Sequence, residues 1–146
     1  MITNQYQYRQ TKTQLRKFQE AIGNLETRPL GTTDAIMRQA EMNAMQSTCE
    51  DLQTEITAYE NLKHNQQLEF STDSLEQLPL GLVQARIAKG LTQEDLAKRL
   101  GVPKQQVQRD EETLYNSASL HRLARVADVL GVRVQATFAN ALWVLE

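Results

Sequence analysis

The chain has 146 residues, of which 40% are hydrophobic and 5% aromatic, enough for one ordinary domain or two small ones and poor in the residues a β-sandwich uses. The formal net charge is −2, and a division after Phe70 leaves 7 Lys+Arg against 9 Asp+Glu before it and 9 against 9 after it, which excludes a globally basic nucleic-acid binder. The one cysteine, Cys49, excludes an intramolecular disulfide; no apolar run approaches the ~20 residues of a membrane span, and the polar start Met1–Gln10 has no leader pattern, so a cytoplasmic protein is expected.

The first stretch, from about Thr3 to Lys63, is polar with helical periodicity. Tyr8, Leu15, Phe18, Ile22 and Leu25 recur at spacings of seven, three, four and three. Met45, Cys49, Leu52, Ile56 and Tyr59 recur at four, three, four and three. Each set lines one face of a helix. Between them, Thr27-Arg28-Pro29-Leu30-Gly31-Thr32-Thr33 reads as a turn, and Thr33 or Asp34 suits the cap of the second helix. Two long helices with a short connection predict an antiparallel hairpin over residues 1–63. Its two narrow stripes make a thin core, so its seam suits a further partner, either another helix or a second copy. Met37, Met42 and Met45 fit helix packing or an adaptable partner surface.

Residues 64–73 form a polar linker with Phe70 as its main apolar residue, and it either hinges or docks. From Ser74 the punctuation is dense. Ser74 with Gln77 has capping-box spacing, and the run Leu78, Leu82, Val83, Ile87 stops at Gly90. Thr92 with Asp95 starts another helix, which carries Leu96, Ala97 and Leu100 and stops at Gly101. A third short helix begins near Pro103. A fourth runs from about Ser119 to Leu130 and ends at Gly131. In the tail, Val132, Val134, Ala136 and Phe138 alternate with polar residues, which predicts a short β-strand. A lone strand needs a partner. Either Leu142–Leu145 returns beside it, or the same strand of a second copy pairs with it in a two-fold dimer.

The segment Leu91-Thr92-Gln93-Glu94-Asp95-Leu96-Ala97-Lys98-Arg99-Leu100-Gly101-Val102, continued by Pro103-Lys104-Gln105-Gln106-Val107-Gln108-Arg109 and Glu111, resembles the Cro/lambda-repressor (XRE) helix-turn-helix family. The resemblance covers roughly Leu75 to Val132. It implies a four- to five-helix lambda-repressor-like domain over 74–131, so that with the hairpin before it and the strand-bearing tail at 132–146 after it the expected fold class is all-α. It also implies a dimeric, sequence-specific repressor of transcription, often of its own gene. Residues from about Pro103 to Arg109 would enter the major groove of double-stranded DNA. The DNA-binding candidates are Gln93, Lys104, Gln105, Gln106, Gln108 and Arg109. Glutamine suits adenine, and arginine or lysine suits guanine. Gln93 matches the family position that holds a phosphate at a helix N-terminus, and Lys104 suits a phosphate or a base. The alternative reading is an antitoxin similar to HigA, whose hairpin would bind a protein toxin.

Asp110 departs from the family, which carries an apolar or aromatic residue there. With Glu111 and Glu112 it forms an acidic trio beside the expected DNA face. Either Asp110 is exposed, or DNA affinity is weak and needs a dimer. Leu114 and Tyr115 are expected to cover the core after the third helix. His64 and His121 lack zinc-site neighbours, and no nucleophile elbow or phosphate-binding glycine loop is present. No enzyme, metal, cofactor or membrane role is therefore expected.

Overall fold

In the computed structural model, residues 1–29, 35–65, 69–72 and 74–137 are described. They form six α-helices: α1 (Gln5–Thr27), α2 (Ala35–Asn65), α3 (Leu78–Ala88), α4 (Gln93–Leu100), α5 (Lys104–Glu112) and α6 (Leu120–Leu130), with a 3-10 turn at Leu75–Gln77. None of these helices is long and apolar enough to cross a membrane.

α1 starts at Asn4, whose side chain accepts from the Gln7 amide and so satisfies one of the helix's free donors. α1 and α2 pack as an antiparallel hairpin, the start of α1 lying beside the end of α2. There the Tyr8 and Tyr59 rings stand 5.2 Å apart, and the Tyr8 hydroxyl donates to Glu60. Of the two sequence stripes, Leu15, Ile56 and Tyr59 are buried and the others partly so. The expected cap of α2 at Thr33 or Asp34 lies outside the described residues.

Stability of the thin hairpin comes from its base. α2 packs on α3, and one apolar cluster runs without a break from Ile2, Leu15, Ile56 and Tyr59 to Leu82, Ile87, Leu96, Val107 and Val126. The hairpin and the four short helices therefore share a core. The far end of the hairpin lies outside it: Ile36 is 85% and Met37 68% exposed at the start of α2.

The short helices follow their punctuation. The Thr92 hydroxyl accepts from the Asp95 amide, and the Asp95 carboxylate accepts from the Thr92 amide at 2.9 Å, closing a capping box. The Thr92 hydroxyl and amide, in that order, hold the Asp95 carboxyl below the usual carboxylate range. The second expected box does not close. Ser74 caps through the Glu76 amide, while its own amide donates to the Thr72 hydroxyl, which in turn donates to Gln77.

Gly101 stands at φ +70°, ψ 33° between α4 and α5, in the region where a Cβ meets the neighbouring carbonyl. A Cβ added there touches nothing within 4 Å, so the cost of a side chain is conformational alone. Gly101→Ala is expected to lower stability by about 1 kcal/mol, measured by urea denaturation; a gain would show that the turn relaxes.

Val132–Thr137 adopts no strand within one chain. Phe138 and the candidate returning segment Leu142–Leu145 lie outside the described residues. In the linker, Phe70 is half-buried and borders a cleft with Leu78, Gly81 and Val132.

Candidate nucleic-acid interface

Three helices meet on one carboxylate. Glu111, near the end of α5, is 1% exposed. An isolated buried charge is costly, so it must be paired and hydrogen-bonded. Arg86 on α3 supplies the pair with a two-pronged contact: Nε donates to Oε1 at 2.6 Å and Nη2 to Oε2 at 2.7 Å. Gln93, the first residue of α4, adds Nε2 to Oε2 at 2.8 Å. The remaining Arg86 donors go to main chain: Nη1 to the Leu91 carbonyl at 2.7 Å and Nη2 to the Thr3 carbonyl at 2.6 Å. The Asn4 side chain completes the network by donating to Gln93 Oε1 at 3.3 Å. α3, α4, α5 and the segment before α1 are thus joined through polar groups inside the core.

This network and the apolar seat of Val107, Leu96 and Leu100 fix how α5 is presented. With Val107 and Glu111 buried one turn apart, the opposite face turns to solvent. Lys104, Gln105 and Arg109 are exposed; Gln106 and Gln108 are half-buried. Gln106 is also partly occupied, its Nε2 donating to Asp110 at 3.0 Å. Lys104 has an acidic neighbour on α4, with Nζ 3.8 Å from Glu94. Glu94 is bonded more closely by Lys98 at 2.9 Å. That bond, then the charges of Lys98 and Lys104, hold the Glu94 carboxyl below its ordinary range.

Gln93 sits differently from its expected place on a phosphate. It is 4% exposed, and both polar ends of its side chain are engaged inside the protein. The physical reason is Glu111: a buried carboxylate outcompetes solvent for a donor beside it. Two members of the acidic trio are likewise charge-paired within the protein. Glu111 is paired with Arg86. Asp110 is mostly buried and accepts from Arg122 Nη2 on α6 at 2.5 Å. Of the three, Glu112 alone is exposed. Asp110 is therefore a charge-paired link between α5 and α6.

After α5 the chain turns through two left-handed residues, Leu114 at φ 48° and Tyr115 at φ 55°. Tyr115 covers the core as expected, and its burial, then the nearby Glu111 charge, push its phenol well above the usual range. Leu114, expected to cover the core as well, is 44% exposed.

Residues 82–136 match the helix-turn-helix family model. No curated protein and no solved structure matches the chain. The matched segment takes in α4, its glycine turn and α5, and supports a DNA-binding regulator of the XRE helix-turn-helix kind.

Proposed function

We propose that the protein is a sequence-specific transcriptional repressor that reads the major groove with α5 and represses its own promoter. The observation that carries this reading is the exposed set Lys104, Gln105 and Arg109 on a helix whose opposite face is fixed by Val107 and Glu111. Gln105 is suited to adenine and Arg109 to guanine, with Lys104 at a phosphate or a base. Gln108 lies at the edge of this face, and Gln106 reaches DNA only by leaving Asp110. Gln93 contributes through the position of α4 and α5, since its side chain points inward. Two copies would place their α5 helices about one helical turn of DNA apart on a near-palindromic operator. The tail 132–146 is the proposed dimer contact, pairing across the two-fold axis. The proposed division is a hairpin at 1–63, a linker at 64–73, the DNA-binding domain at 74–131 and the tail.

Fluorescence anisotropy with duplex from upstream of the protein's own gene, against a scrambled duplex, tests the reading. Gln105→Ala and Arg109→Ala are each expected to lose roughly 1–3 kcal/mol of sequence preference. Equal binding to both duplexes by the parent protein, vanishing with salt, would remove sequence-specific repression.

A second reading is favoured by Ile36 and Met37. Two large apolar side chains exposed at the hairpin's tip suit a protein partner. An antitoxin that also represses would use α5 for DNA and the hairpin for its toxin.

A further inference from the structure

The first nineteen residues contain four basic residues, Arg9, Lys12, Arg16 and Lys17, and no acidic one. The chain as a whole has net charge −2, so this is a local concentration. The start of α1 is also fixed in place. Asn4 bonds to Gln93 at the N-terminus of α4, and the Thr3 carbonyl bonds to Arg86. On a straight helix, Arg9 stands about 7.5 Å and Lys12 about 12 Å further along the axis from Asn4, at 1.5 Å per residue. Lys63, near the end of α2, joins them by donating to Gln5 at 3.3 Å. All three side chains are exposed.

Their acidic neighbours are few and already engaged. Glu60 accepts from the Tyr8 hydroxyl and lies 3.9 Å from Lys12. Glu55 holds the amino terminus at 3.2 Å. Glu94 is held by Lys98. Arg9 has no acidic partner within ion-pair distance among the described residues.

We propose that Arg9, Lys12 and Lys63 form a second phosphate-contacting surface, which continues the α4–α5 face onto the DNA backbone flanking the site that α5 reads. The proposal rests on the reading of α5 as the base-contacting helix. Two features select DNA as the partner. The segment that carries the surface is tied to the start of α4 by the Asn4–Gln93 hydrogen bond. Arg9, about 7.5 Å along the axis from Asn4, also lies within about one Debye length of that point at physiological salt, close enough to add to the same field. The surface supplies affinity without sequence information, because phosphates are alike along the duplex. It also accounts for a net-acidic chain binding a polyanion, since the basic residues are gathered where the backbone passes.

The test is anisotropy across a salt series with the full chain. The triple variant Arg9→Gln, Lys12→Gln, Lys63→Gln is expected to bind preferred and scrambled duplexes several-fold more weakly. The slope of log affinity against log salt should fall by about 2–3, and the ratio between duplexes should stay unchanged. Gln105→Ala should do the reverse, lowering the ratio and keeping the slope. Arg9→Glu alone reads the same effect and leaves in place Lys12 and Lys63, whose ammonium groups stand 5.2 and 5.7 Å from the Tyr8 and Tyr59 ring centres. Parental affinity and slope in both variants would overturn the proposal. A parent protein that binds both duplexes equally would instead overturn the reading of α5, and the slope on the scrambled duplex would still decide the α1 surface.

Discussion

Glu111→Ala is expected to destabilise the protein by about 3–5 kcal/mol, the range for leaving one partner of a buried ion pair uncompensated. The magnitude follows from what remains. Arg86 would keep its bonds to the Leu91 and Thr3 carbonyls but lose its carboxylate partner. Gln93 Nε2 would lose its acceptor in a site with no exposure to replace it. Urea denaturation at neutral pH measures the loss; a loss below about 1 kcal/mol would mean that water enters and solvates Arg86. Pairing the change with Arg86→Met should recover much of the stability, because the penalty belongs to the orphaned charge. Sequence preference on DNA should fall as well, since α5 would keep its exposed residues and lose its anchor.

Ile2→Ala should cost about 2–5 kcal/mol, a large effect for a residue one place from the chain's start. Ile2 is 3% exposed and belongs to the cluster that includes Ile56 and Tyr59 of the hairpin and Leu82 and Ile87 of α3. Truncating it opens a cavity where hairpin and short helices meet. Both halves should therefore lose stability together, in one cooperative transition seen by circular dichroism and by hydrogen exchange in α2 and α6. Two separate transitions, with the α6 amides unaffected, would show that the hairpin is an independent unit.

The sequence was legible where periodicity and punctuation carried the structure. Leu96, Ala97, Leu100 and Val107 sit inside as their spacing requires, and the helix ends at Thr92, Gly101, Ser119 and Gly131 are set by local chemistry. The polar network was harder. Arg86 lies three residues after the buried Val83 and one before the buried Ile87, and Glu111 lies four after Val107. Opposite charges on two inward faces are a readable sign of a buried pair. The placement of Gln93 was not legible from its own neighbourhood, because it depends on Glu111, 18 residues on, and on Asn4, 89 residues back. Asp110 likewise depends on Arg122, a helix away. Ile2 and Thr3 precede any repeat, so no periodicity marked them as core.

The hairpin also has a mechanical meaning. α2 is one stiff element of 31 residues, seated on α3 near its end and uncovered at its start. Ile36 lies 20 residues before Ile56, about 30 Å along the axis at 1.5 Å per residue. That makes a lever whose fulcrum is the α3 contact and whose short arm ends at Asn4 and Gln93. A load at the tip acts on this joint with a long moment arm, and the joint is held by the shared apolar cluster together with the 3.3 Å Asn4–Gln93 hydrogen bond and the Thr3 carbonyl. A tilt of the hairpin would therefore be felt as a displacement of the start of α1 relative to the start of α4.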